Sequence, residues 1–315
     1  MSAGLSRLPH DKLDAVVSQV GSVLLGKHHQ IRMALCCLLA RGHLLIEDLP
    51  GMGKTTLAHG LAASLGLSFK RIQFTSDLLP GDILGISVYH KETEKFRFHP
   101  GPIFTQLLLA DEINRTTPKT QSALLEAMGE GQVTIDGKTR HLPQPFFVVA
   151  TQNPVFQGGT YPLPESQQDR FAMSLSLGYP DRSAEKNMLM RADNCGQLDS
   201  VKPCLSPEEL VELQNRVARI HLSEPLADYL VRLVQFTRSA DSIDCGLSPR
   251  ASLSLLACAR AWALLEGRDY VIPEDVQTVF PAVARHRLQI QGDGRRGAAK
   301  SDLLVEQALN EVDTL

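Results

Sequence analysis

Apolar positions along this chain follow two periods, and the mixture of periods changes at Pro180. Before it, helical spacing alternates with short continuous apolar runs. Leu13, Val16, Val17 and Val20 share one face of a first helix that Asp11 is placed to cap. Ile31, Ala34, Leu35, Leu38 and Leu39 share one face of a second, which Gly42 ends. "HLLIE" then predicts a buried strand, "KTTLAHGLAASL" a helix stopped by Gly66, and "FKRIQF" the next strand. "TQLLLADE", "FFVVATQN" and "AMSLSLGYP" supply further core strands, with the helix "PKTQSALLEAM" opened by Pro118 between the first two. Alternation of this kind predicts an α/β fold with a parallel sheet covered by helices.

Two segments break the alternation. "ISVYHKETEKFRFH" and "QVTIDGKTRHL" each hold two short alternating runs around a polar turn and predict inserted β-hairpins, the second with an Asp136-Gly137 turn of type I′. After Pro180 the strand signals stop. Ser206-Pro207-Glu208-Glu209, Ser248-Pro249 and Pro273-Glu274-Asp275 are helix starts, followed by apolar faces such as Leu210, Leu213 and Val217. The expected organisation is an α/β domain over residues 1–180 and a smaller helical domain over residues 181–315. "QGDGRRGAAK" predicts a flexible loop before the last helix.

Composition narrows the partners. A formal net charge of −3 and 5% aromatic residues argue against a surface built to hold nucleic acid, which calls for a basic stripe or stacking aromatics. The opening residues lack an apolar signal core, and no apolar run reaches the roughly 20 residues of a membrane span, so a cytoplasmic protein is expected. The six cysteines have no metal-site spacing and are expected to be buried reduced thiols.

The chemistry sits at strand ends. "LLIEDLPGMGKTTLA" places Gly51 and Gly53 between a strand and a helix, followed by Lys54 and Thr55. There backbone N–H groups converge on a polyphosphate, the helix dipole adds to the attraction, and the lysine supplies a positive charge. The same residues also suit a plain strand-to-helix turn, and Asp48 stands where a phosphate loop has its first glycine. "LLLADE" ends in Asp111, suited to hold magnesium, and Glu112, suited to accept a proton from water. A solvated strand end is the plainer reading of that pair. Asn153, at the end of "VVATQN", can orient that water, although an asparagine turn before proline is common.

In this order, with hairpins between them, the phosphate loop, "LLLADEINR", "TQNP", "LPESQQDRF" and "LSPRA" resemble the MoxR family of AAA+ ATPases. The resemblance spans about residues 25–288 and includes longer strings such as "FTSDLLPGDILG" and "GPIFTQLLLADEINRTTPKTQSALLEAM". It implies an AAA+ P-loop αβα sandwich with a helical lid, and ATP with Mg2+ as ligands. The nucleotide-binding set would be Asp48, Pro50, Gly51, Met52, Gly53, Lys54, Thr55 and Thr56, with Thr55 and Asp111 on the metal. Glu112, Asn153, Arg170 and Arg250 would form the catalytic set: Asn153 as sensor 1, Arg250 as sensor 2, and Arg170 as an arginine finger reaching a neighbouring subunit. "GKHHQI" would lie against adenine.

The resemblance further implies a homo-oligomeric, hexameric ring that remodels or matures a partner complex through a von Willebrand A domain adaptor. A nucleic-acid motor of a related clade and a nucleotide-gated scaffold with little turnover are the competing readings. DNA-stimulated ATPase and a turnover assay separate them. One departure is local: Gly129 and Gly131 stand where longer polar side chains are expected, and each predicts a looser junction after the helix.

Overall fold

The computed structural model describes residues 8–153, 161, 163–190, 201–239, 243–290 and 297–314. Helices α1 (Leu8–Val23) and α2 (His28–Leu39) lead into β1 (Leu44–Glu47), α3 (Lys54–Ser64), β2 (Phe69–Gln73) and α4 (Pro80–Leu84). The hairpin β3 (Gly85–His90) and β4 (Lys95–Pro100) follows, then β5 (Leu107–Asp111) and α5 (Pro118–Glu130). The second hairpin, β6 (Gln132–Ile135) and β7 (Lys138–His141), precedes β8 (Phe147–Gln152), α6 (Glu165–Gln168) and β9 (Met173–Leu175).

The main sheet has five parallel strands in the order β2-β5-β8-β1-β9. Register decides what the sheet can do. Ile46 lies beside Thr151, Ala110 beside Ala150 and Gln73 beside Asp111, so the carboxyl ends of β2, β5, β8 and β1 finish on one edge. In open α/β sheets that edge is where ligands bind.

Successive strand residues point to opposite faces. Leu44, Ile46, Leu107, Leu109, Phe147, Val149 and Met173 enter one apolar core with α1, α2, α3 and the later helices. Leu45, Leu108, Ala110, Val148 and Ala150 enter a second, closed by Ile83 of α4, by Leu124 and Met128 of α5, and by Val133 of β6. Burial of both faces explains why these strands are continuous apolar runs rather than alternating ones.

The β6–β7 turn has Asp136 at φ 53° and Gly137 at φ 71°, the paired left-handed residues of the expected turn. The β3–β4 hairpin carries apolar side chains to the surface: Tyr89 and Phe96 pack ring to ring at 5.3 Å, and Phe96 is 74% exposed.

The later elements are α7 (Arg182–Met190), α8 (Pro207–Ala218), α9 (Glu224–Ser239), β10 (Ile243–Cys245), α10 (Pro249–Leu265), α11 (Pro273–Ala284), β11 (Gln289–Ile290) and α12 (Gly297–Glu311). The reciprocal cap at Ser206 is present, with its N–H on Glu209 Oε2 at 2.9 Å and its hydroxyl accepting from the Glu209 N–H at 3.3 Å. Four expectations need correction. Strands do not stop at Pro180, because β10 and β11 form a small antiparallel ladder too short to announce itself by period. Helix α1 starts at Leu8, three residues before Asp11, and α12 starts at Gly297, which shortens the expected loop; residues 291–296 of that loop lie outside the described residues. Finally, Cys36, Cys37 and Cys258 are buried, and burial raises their thiol pKa values, but Cys245 is exposed and Cys204 half-buried. Cys195 lies outside the described residues.

Candidate functional site

The loop between β1 and α3 is built on two left-handed glycines, Gly51 at φ 86° and Gly53 at φ 89°. Such φ values strain any residue with a Cβ. At Gly53 a Cβ would also lie 2.6 Å from Leu24 Cδ1, so the loop is packed onto the segment after α1. Gly51 faces open space. Helix α3 begins at Lys54, which leaves the amides of its first turn without helical partners at the loop mouth.

Asp48 serves this loop from behind. Its Oδ2 accepts the N–H groups of Leu177 and Gly178, both at 2.7 Å, and the Ser176 hydroxyl at 3.2 Å. A carboxylate that ties the loop to the chain leaving β9 explains why aspartate stands where glycine is expected. Lys54 is buried, and its Nζ donates to the Asp48 carbonyl at 2.7 Å. Burial pulls its pKa down, against the opposing pull of Asp111, Asp48 and Glu112.

The two acids are separated by a backbone turn. Asp111 ends β5, and Glu112 adopts a left-handed conformation at φ 57°, rare for a side-chain-bearing residue and characteristic of functional sites. Thr151, on the neighbouring strand, joins them: its hydroxyl donates to Asp111 Oδ1 at 2.6 Å and accepts the Glu112 N–H at 2.8 Å. Asp111 Oδ2 accepts Arg71 Nη2 at 2.6 Å and Nε at 3.2 Å. Glu112 Oε1 accepts Asn153 Nδ2 at 2.8 Å, while Oε2 accepts Gln73 Nε2 at 2.8 Å and faces Arg115 Nε at 3.0 Å. A carboxylate has about four lone-pair positions, so these three donors hold it in one orientation and leave room for one more. Asn153 is itself held through its backbone by Asn114, whose Nδ2 donates to the Asn153 carbonyl at 3.0 Å.

Lys54, Asp111, Glu112 and Asn153 therefore come together, as the sequence predicts. Arg170 and Arg250 stand apart from them. Arg170 Nη1 donates to the Leu125 carbonyl of α5 at 2.8 Å. Arg250 is exposed in the first turn of α10, with no ion pair among the described residues. The two α5 glycines also acquire reasons. Gly131 is the left-handed cap of α5 at φ 62°, outside the helix interior, and a Cβ at Gly129 would stand 2.5 Å from Arg170 Nη1. The expected looseness is replaced by a helix stop and a space for a guanidinium.

Arg71, Gln73, Asn114 and Thr151 are site residues that the sequence motifs do not name. The alternation of "FKRIQF" carries a signal, since Arg71 and Gln73 share one face of β2, but their target is visible only once β2 is known to pair with β5.

The chemistry of this donor set fits a nucleoside triphosphate with a divalent cation: two left-handed glycines, a buried lysine and free helix amides for phosphate, with Thr55 and Asp111 as hard oxygen donors beside them. Among the described residues no cluster of three or more His, Cys, Asp or Glu suits a metal held by protein alone.

Comparison with known proteins agrees with this geometry. The ATPase family associated with various cellular activities (AAA) matches residues 43–173, and the AAA lid domain matches residues 235–307. The chain is 45% identical to YeaC of Bacillus subtilis, over 96% of this chain and 95% of that one. It is 40% identical to Chaperone MoxR1 of Mycobacterium tuberculosis, over 95% of this chain and 81% of the relative. A solved structure of a candidate ATPase from Cytophaga hutchinsonii superposes with a TM-score of 0.87 at 38% identity, covering 97% and 95% of the two chains. With a parallel five-stranded sheet, a glycine loop and paired acids at its carboxyl edge, and helices following, the chain belongs to the MoxR family of AAA+ ATPases.

Proposed function

We propose that this ATPase assembles into a hexameric ring in the cytoplasm and uses ATP turnover to remodel or mature a partner protein complex, engaged through a von Willebrand A domain adaptor. The observation that supports the hydrolytic part is the 2.8 Å bond from Asn153 to Glu112, which holds a carboxylate in one orientation near the Lys54 loop. Glu112 accepts the proton of that water, Asn153 orients Glu112, and Lys54 with the loop amides of residues 51–55 holds the phosphates. Magnesium held by Thr55 and Asp111 would neutralise developing phosphate charge. Asp48 orders the loop, and Pro50, Met52 and Thr56 complete its walls. Arg170 serves the ATP of the next subunit, and Arg250 brings charge from the helical domain.

Support for the remodelling part comes from the name of the mycobacterial relative and from the exposed apolar hairpin β3–β4. Apolar side chains that a folded chain keeps in water mark a protein-binding surface. The test is capture of clients by a Glu112→Gln protein loaded with ATP, with and without Tyr89→Ser and Phe96→Ser. Capture that requires ATP and is lost with the hairpin changes supports the reading. Capture that ignores both, together with DNA-stimulated turnover, favours the nucleic-acid motor instead.

A further inference from the structure

Residues 169–172 carry Arg170 into β9, and two parts of the helical region grip them. Arg287 follows α11 in a short 3-10 turn, with 3% of its side chain exposed. Its Nε donates to Asp169 Oδ1 at 2.9 Å, its Nη2 to the Phe171 carbonyl at 2.6 Å, and its Nη1 to the carbonyls of Ala172 at 3.1 Å and Val283. His286 adds a ring nitrogen 3.1 Å from the Phe171 carbonyl. From the other side comes Ser248, the cap of α10. It accepts the Ala251 N–H at 3.0 Å while its hydroxyl lies 2.9 and 3.1 Å from the two Asp169 oxygens.

Asp169 thus touches the start of the helix that carries Arg250 and immediately precedes Arg170. A buried ion pair is a poor way to gain stability, since apolar residues of like size do as well, but its directional bonds fix relative position. Among the described residues the Arg170 side chain makes one hydrogen bond, to the Leu125 carbonyl, so its backbone is clamped while its guanidinium can swing.

We propose that Asp169 is a positioning residue that couples α10 to Arg170, so that the two arginines move as one unit and the nucleotide-dependent placement of the helical region sets the reach of Arg170. This rests on the reading of Arg170 as a group that acts on ATP.

The test varies Ser248 in the full-length protein. Asparagine and aspartate cap helices as well as serine does, so both variants should keep the melting temperature within about 3 °C and the ATP affinity within about twofold. Ser248→Asn retains a donor toward Asp169 and should turn over ATP within about twofold of the parent. Ser248→Asp sets a carboxylate against a carboxylate, and kcat should fall at least about tenfold, a fraction of the 10³–10⁵ that such an arginine can supply. In an Arg170→Ala background the same change should cause no further fall.

Parental turnover in Ser248→Asp, or a further loss on top of Arg170→Ala, overturns the coupling while leaving the reading of Arg170 intact. Parental turnover in Arg170→Ala overturns both. Amide exchange on the unmodified protein covers the case in which Ser248→Asp does not fold. A non-hydrolysable ATP analogue should change protection in residues 169–172 and in the first turn of α10 together; a change confined to α10 overturns the proposal.

Discussion

The side-chain amide of Asn153 donates to Glu112 Oε1 at 2.8 Å, across the ends of the neighbouring parallel strands β8 and β5. That bond fixes the rotamer of a carboxylate whose backbone is already held in a left-handed turn. Asn153→Ala should leave ATP affinity within about twofold and lower kcat about 10- to 100-fold, less than the 10²–10⁴ of a whole general base, because the carboxylate remains but is no longer aimed. Calorimetry and steady-state turnover check the split. A rise in Kd with unchanged kcat would place Asn153 in binding alone.

Gly129 and Arg170 make a second pair. A methyl group at residue 129 meets the tip of a flexible side chain rather than backbone, so the helix can accept alanine by letting the guanidinium swing away. Gly129→Ala should stabilise α5 by about 0.5–1 kcal/mol. Turnover should stay within about twofold if the Leu125 carbonyl is only a resting partner and Arg170 works elsewhere. A fall of tenfold or more would show that the resting position is the working one.

Arg170 supplied to a neighbour can be read by mixing. Arg170→Ala should bind ATP and hydrolyse it poorly, and Lys54→Ala should not bind it, having lost the loop's one buried cation. Co-assembled, the two create interfaces with an intact loop on one side and an intact arginine on the other, and activity should return. A silent mixture with proven co-assembly would move the role to Arg115 or Arg250.

His43 gives the fold a pH dependence. It bridges the sheet and α5, with Nδ1 accepting the Val148 N–H at 3.1 Å and Nε2 facing the Met128 carbonyl at 3.2 Å. Burial lowers its pKa from the usual 6.5 to about 4. The folded chain therefore keeps it neutral while the unfolded chain takes up a proton below pH 6.5, so stability falls as pH drops from about 6.5 to about 4, by up to about 3 kcal/mol. His43→Gln should be less stable than the parent at pH 7.5, with the gap narrowing on acidification. Denaturant melts across that range test it; a constant gap would contradict a buried neutral imidazole.

The parts of this protein legible in sequence are those encoded by local pattern. The strands "LLLAD" and "FVVATQ" run apolar as far as Ala110 and Ala150 because both sheet faces are covered, and the polar residues gathered just after that point make Asp111, Glu112 and Asn153 legible. What was not legible depends on pairing. Arg71 meets Asp111 only because β2 lies beside β5, and Arg287 meets Asp169 only because the helical region folds back on β9. The role of Gly129 is not legible in sequence because a helical period says nothing of a cation lying over it. The β10–β11 ladder escaped because two or three residues carry no period.

The most direct test of the account is a paired measurement on Glu112→Gln. The amide keeps the shape of the side chain but cannot take a proton, so the protein should bind ATP with magnesium about as tightly as the parent and hydrolyse it 10²–10⁴-fold more slowly, roughly the contribution of a general base. Tight binding with near-silent turnover is the result the geometry around Glu112 Oε1 predicts. Turnover above about a tenth of the parental rate, with ATP still bound, would contradict it and remove Glu112 from the role of base.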